Sequence, residues 1–449
     1  MTVSPADGPV FGAVYGTDAM RDAMGERAAL QRMLDTEAAL ARAQARLGMI
    51  PAEAASAITG AARVEMLDMP ALAAATRNTG FPVVGLVKQL TAAAGAEAGR
   101  WTHWGTTTQD IVDTALVLQM RDAFALITAD LDRLIAAFAR LARDHRHTVM
   151  AGRTHAQQAL PITFGYKAAL WLDPLVSMRE RLHQALPRML KLQFGGAVGT
   201  LASLGDKGPA VAQELAAELD LVLPAIPWHV ARDGTAEAAC WLGMLCGVLA
   251  KPATDVMLLM QSEVSEASEP AAPGRGGSST MPQKRNPIAC EYVIAQARAA
   301  QALVPQVLGA MAHDHERGAG PMQIEQLALA PIFLYAHGAM AQALLIAEGL
   351  VVDGARMRRN LDASGGLIVA EAVMMGLAPL LGRGVAHDVV HHACEVALSE
   401  GVTLDVALAR EARVTQHLDA AGIAALTDPA GYLGATQVFI EAVLARAAA

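Results

Sequence analysis

At 449 residues with a formal charge of −9, the chain is long enough for several domains, and its charge argues against nucleic acid as a default partner. Hydrophobic residues make up 53% and aromatics only 4%, so the core is one of Ala, Leu, Val and Met suited to close helix packing. Mean hydropathy is +0.31, yet the longest uncharged window, 327–347, is broken by Pro331, His337 and Gln342, which favours helices buried in a bundle over membrane spans.

The first residues, MTVSPADGPV, show no basic region followed by an apolar core, so no secretory signal is expected. A Gly- and Thr-rich loop, GRWTHWGTTT, fills 99–108. Beyond it, Phe124, Ile127, Leu131, Leu134, Phe138 and Leu141 alternate three and four apart, a heptad seam. Begun near Gln109, that helix would reach roughly 50 Å, more than a compact monomer needs. Residues 150–161 (MAGRTHAQQALP) read as a second loop and 164–186 as a helix. A glycine-rich loop at 194–208 precedes a helix over 235–268, in which Pro252 predicts a kink. A further loop, 270–287, leads into helices over 287–313 and 323–350, separated by a loop at 313–321. After about Val352 the helices shorten. The expected fold is all-α, divided at 1–108, 109–352 and 353–449. Strand patterns are scarce. Four cysteines without CxxC spacing (Cys240, Cys246, Cys290, Cys394) point to reduced thiols and a cytoplasmic setting.

The stretch GRGGSSTMPQKRNP, Gly274–Pro287, is costly to order unless something binds it. Its glycines permit positive φ, and the N–H groups near Ser278 and Ser279 can meet an anion. Lys284 adds a point charge, Asn286 a donor for a carboxylate, and Pro287 opens the next helix. It is no phosphate loop: Lys284 lacks a preceding glycine, and no strand leads into a GxGxxG.

GSSTMPQKRNP resembles the GSSxMPxKxNP motif of the fumarase/aspartase superfamily at every fixed position. Two more segments agree in order. GRTHAQQALP (Gly152–Pro161) is similar to GRTHxQxAxP, and HWGTTTQDIVDTA (His103–Ala115) resembles the substrate-carboxylate loop usually written TSxD. WHVARD (Trp228–Asp233), HERGAG (His315–Gly320) and NLDASGGLIVAEAVMMGLAP (Asn360–Pro379) look most like the bacterial 3-carboxy-cis,cis-muconate cycloisomerase branch.

The resemblance implies an all-α, three-domain subunit whose long helices build a twenty-helix core in a homotetramer, with active sites shared between subunits. It implies anti addition or elimination next to a carboxylate, without cofactor or metal, on a di- or tricarboxylate. By position Ser278 matches the base, His155 the acid, and Glu291 the carboxylate that orients the acid. Lys284, Asn286, Thr107, Thr108 and Ser279 match groups that hold substrate, with Gln157 and Arg317 as further carry-overs. A serine is basic only if donors stabilise its alkoxide, which falls here to the loop N–H groups and Lys284.

Cycloisomerisation of 3-carboxy-cis,cis-muconate in aromatic catabolism is the expected activity. A fumarate-releasing C–N or C–O lyase is the alternative, since His155 suits protonation of a leaving group. Asn78, where a purine lyase carries a second histidine, weakens the adenylosuccinate version. An inactive structural homologue is the remote alternative. The His387 and His391 pair has helical metal-ligand spacing but no fixed third ligand, and no metal, nucleic-acid or membrane partner is expected.

Overall fold

The computed structural model describes residues 4–318 and 320–448. Ala319, within the 313–321 loop, and residues 1–3 and 449 at the ends lie outside the described residues. Helices α1 to α5 are Asp18–Met24, Glu26–Arg46, Ala52–Ala61, Met69–Thr79 and Val83–Ala94. Then come α6 (Thr108–Asp144), a hairpin β1 (Val149–Thr154) and β2 (Gln157–Thr163), α7 (Phe164–Met189), α8 (Gly208–Leu219) and α9 (Asp233–Leu259). A short β3 (Ala267–Ser268), α10 (Ile288–Gly309), α11 (Pro321–Gly349) and β4 (Val351–Val352) follow. The C-terminal run holds α12 (Gly354–Asp362), α13 (Ala370–Leu381), α14 (Arg383–Glu400) and shorter helices to Ala448.

The heptad seam produces a 37-residue α6, and all six seam residues are buried. The described residues form two compact units: 1–131, 178–250 and 292–342 in the first, and 132–177, 251–291 and 343–449 in the second. In the first, Leu34 of α2 packs with Ile58, Leu86 and Ile111, while Phe124 meets Trp241 and Phe333 edge-on at 5.9 and 5.0 Å. In the second, α13 and α14 bury Val373, Leu377, Val389 and Val390, and β1 is backed by α12 through Ala151 and Leu361.

Two expectations are corrected. Residues 150–161 are largely strand rather than loop: β1 and β2 pair antiparallel from Val149–Thr163 to Thr154–Gln157, with Ala159 as an extra residue where the register shifts. The central residues of this hairpin's two-residue turn, His155 and Ala156, have φ of 49° and 63°. Such turns normally announce themselves with Asn-Gly, and His-Ala gives no such signal. The helix expected over 235–268 stops at Leu259, because Ala267 and Ser268 pair instead with Val352 and Val351. α9 runs on past Pro252 for two turns.

Helices α9 and α11 are long and apolar enough to cross a membrane by length and composition, but 44% and 61% of their most apolar windows are buried inside the fold.

Candidate active site

The 270–287 loop is closed by its own main chain. Asn286 N–H donates to the carbonyl of Gly276 at 2.8 Å, and Gly277 bridges to Arg285. At Gly276 φ is 65°, and a Cβ there would stand 2.8 Å from the Asn286 carbonyl, so only glycine lets the two ends meet. Buried Glu269 fixes the exit by accepting from the N–H groups of Ala289 and Cys290 at 3.2 and 2.8 Å, capping the first turn of α10.

Inside the loop, Ser278 Oγ accepts from Met281 N–H at 3.1 Å and Thr280 N–H at 3.3 Å, with Thr280 Oγ1 at 3.4 Å. Two main-chain donors aimed at one hydroxyl oxygen favour its anion over its neutral form. Lys284 and Ser279 are exposed and Asn286 half-buried. Lys284 and Asn286 line a cavity of about 210 Å³ with Gly276 and Glu269.

His155 stands at the exposed tip of the β1–β2 hairpin, with Gln157 opening β2. A buried charge network anchors the strand beneath it. Arg153 donates to both oxygens of Glu266 at 2.8 and 2.7 Å, and Asn360 donates to Glu266 Oε1 at 2.8 Å. Glu266 is fully buried. Glu291 is exposed in the first turn of α10, and among the described residues it makes no hydrogen bond to His155 within one chain.

The 102–108 loop is organised by Asp110, which is 1% exposed. Its carboxylate accepts from Gln193 Nε2 and the N–H groups of Gly195, Gly196 and Thr107 at 2.9–3.2 Å, and from Thr106 Oγ1 at 3.2 Å. Burial pushes its pKa up, against the pull of those donors. One side chain thus ties the 102–108 and 194–200 loops together. Among the described residues the hydroxyls of Thr107 and Thr108 bond to no protein group. They sit at the positive end of a 37-residue helix, a setting for a carboxylate. Arg317 donates through Nη2 to the carbonyls of Ala197 and Gly196 at 2.9 and 3.4 Å.

Behind these loops, buried Arg232 grips Asp113 at 2.7 and 3.0 Å and Glu325 at 3.0 and 3.1 Å. Its guanidinium lies 4.7 Å from the Trp228 ring centre. Burial opposes its charge, and the two carboxylates more than reverse that, so its pKa is raised.

Sequence reasoning missed the supports. Asp110 is the last position of the quoted TSxD-like motif, and Arg153 lies inside the GRTH segment, so both had a signal. Glu266, Glu269 and Glu325 had none, because their partners are 20 to 113 residues away in the chain.

A family model described as lyase matches residues 13–302, and one described as adenylosuccinate lyase C-terminus matches residues 366–443. The chain is 48% identical to a 3-carboxy-cis,cis-muconate cycloisomerase of Bradyrhizobium diazoefficiens, over 98% of this chain and 99% of that one. It is 44% identical to a nitrosuccinate lyase of Streptomyces davaonensis, over 93% and 90%. The crystal structure of the 3-carboxy-cis,cis-muconate lactonizing enzyme from Pseudomonas putida superposes with a TM-score of 0.95 at 44% identity, covering 98% of this chain and 99% of that one.

Proposed function

The chain belongs to the fumarase/aspartase superfamily of lyases, and from that premise we propose that it cycloisomerises 3-carboxy-cis,cis-muconate to its carboxymuconolactone. One substrate carboxylate adds its oxygen to the carbon bearing the 3-carboxylate. The neighbouring carbon, alpha to a further carboxylate, passes through an enediolate and receives a proton from the Ser278 hydroxyl. The alkoxide left on Ser278 is held by the N–H groups of Met281 and Thr280 until a solvent proton restores it. That pair of donors on one serine oxygen is the observation that carries the reading. Lys284 and Asn286 serve the enediolate carboxylate, and Thr107 and Thr108 a second one. Ser279 and Gln157 line the site, and Glu291 orients His155.

Incubation with 3-carboxy-cis,cis-muconate should bleach the diene absorbance. No bleaching, with fumarate appearing from an amino-, nitro- or thio-substituted succinate, would reject this reading in favour of the fumarate-releasing lyase. His155 supports that alternative, since an imidazole suits protonation of a leaving group.

The reading includes a cytoplasmic homotetramer without cofactor or metal, with subunit domains at 1–108, 109–352 and 353–449, a twenty-helix core and sites shared between subunits. Its support is the apolar surface left open on the long helices: Met244 and Leu258 on α9, Leu308 on α10, and Leu327 on α11, the last 73% exposed. Light scattering that gives a monomer mass would remove this part.

A further inference from the structure

His229 is 6% exposed, yet neither ring nitrogen has a hydrogen-bond partner. Buried imidazoles normally have their polar atoms paired, and leaving them unpaired costs free energy. The ring's polar edge is aimed at one place. A Cβ added to Gly199 would stand 2.5 Å from His229 Cε1, 3.3 Å from Nε2 and 3.4 Å from Nδ1. The 196–199 loop therefore lies directly on the edge that carries both nitrogens.

Arg317 reaches the same loop. It uses one nitrogen, Nη2, on the carbonyls of Gly196 and Ala197, and among the described residues it has no carboxylate partner. In a chain of net charge −9, a guanidinium without a counter-ion is notable. Asp110, which holds Gly195 and Gly196 at the start of this loop, is fully engaged with its own five donors. Burial first, and then the Arg317 cation, hold His229 below its ordinary pKa, with Asp110 and Asp113 pulling the other way and Arg232 adding to the depression. A neutral imidazole and the Arg317 cation thus both meet the same loop, in which Gly196 and Gly199 have φ of 70° and 85°.

The cycloisomerase reading, on which this inference rests, requires three carboxylate positions. One lies beside the carbon that is protonated, one on the carbon that gains oxygen, and one closes the ring. Lys284 with Asn286, and Thr107 with Thr108, account for two. We propose that His229 and Arg317 form the third carboxylate subsite, roofed by residues 196–199, and that they orient the ring-closing carboxylate. Arg317 supplies the charge. His229 donates one N–H, holding one oxygen while the other stays free to add.

The test is calorimetric binding to the intact oligomer of two unreactive probes, butane-1,2,4-tricarboxylate and 2-ethylsuccinate, which differ by that third carboxylate alone. The wild type should prefer the tricarboxylate, and His229→Gln and Arg317→Gln should each cut that preference about tenfold, the worth of one charge-assisted hydrogen bond. Arg317 is exposed, so its variant answers even where a change at His229 disturbs folding. A carboxylate settling on His229 raises its proton affinity, so tricarboxylate binding should take up a proton, seen as a dependence on buffer ionisation heat, and His229→Gln should abolish the uptake. A role confined to packing would move neither the probe ratio nor the uptake. An unchanged ratio in both variants, or no preference in the wild type, overturns the subsite. Muconate turnover is scored separately: a protein that discriminates the probes but bleaches no diene keeps the subsite and loses the cycloisomerase reading.

Discussion

Replacing Arg232 with methionine removes the one cation shared by two buried carboxylates. Arg232, Asp113 and Glu325 are each 1% exposed. The variant keeps one donor on each acid, Gln109 Nε2 on Asp113 at 3.0 Å and Thr235 Oγ1 on Glu325 at 2.9 Å. Every other bond described above is lost, and two negative charges stay in a site that solvent does not reach. Breaking one buried pair in this way costs about 3–5 kcal/mol, and a cation serving two acids belongs at the upper end. Against a typical stability of about 5–15 kcal/mol, that is a large share. Urea unfolding followed by tryptophan fluorescence suits the question, since Trp228 stacks on the missing guanidinium. Adding Asp113→Asn and Glu325→Gln to the variant should recover much of the loss, because the neutral amides no longer need the cation. A loss below about 1 kcal/mol, the worth of an exposed pair, would refute the reasoning. So would a triple variant no better than the single one.

Ser278→Ala should lower kcat by about 10²–10⁴-fold with the circular dichroism and oligomer mass unchanged, and full activity would strip Ser278 of its role. Gly276→Ala should reduce turnover while leaving the unfolding midpoint nearly in place, since its Cβ would meet the Asn286 carbonyl in a surface loop; wild-type kinetics would show that the loop tolerates the shift. His229 and His313 are both held below their ordinary pKa, chiefly by burial. Between those depressed values and about pH 6.5 the unfolded chain binds protons that the fold does not, so stability falls as pH drops through that window. His313→Gln should flatten this slope in melting temperatures measured from pH 7 to 5, and an unaltered slope would exclude His313 as a source. Cys246, whose thiol burial pushes up to about 12, should react with a thiol reagent only on unfolding, and rapid labelling of the native protein at that residue would contradict its burial.

The helical frame was legible because α6 buries a repeating stripe, and a stripe is a local property of sequence. The candidate site residues were legible for a different reason: Ser278, Lys284, Asn286, Thr107 and His155 sit in short runs whose composition is out of place in an Ala-rich bundle. What escaped was everything decided by a distant partner. Arg232 is 119 residues from Asp113 and 93 from Glu325, and no window of sequence announces that these three will be buried together. The hairpin escaped because its turn residues carry no turn chemistry, so the ladder that holds them in place came from pairing alone. His229 was quoted within WHVARD without a role, since an unpaired nitrogen is visible only when its surroundings are.

The tight turn at the hairpin tip has one more consequence. A left-handed backbone at two side-chain-bearing residues costs about 1–2 kcal/mol at each, and the paired strands below bear it. The main-chain position of residue 155 is therefore set by the hairpin ladder below it. A substitution at position 155 would therefore change the side chain carried at the tip while the paired strands keep the tip itself in place.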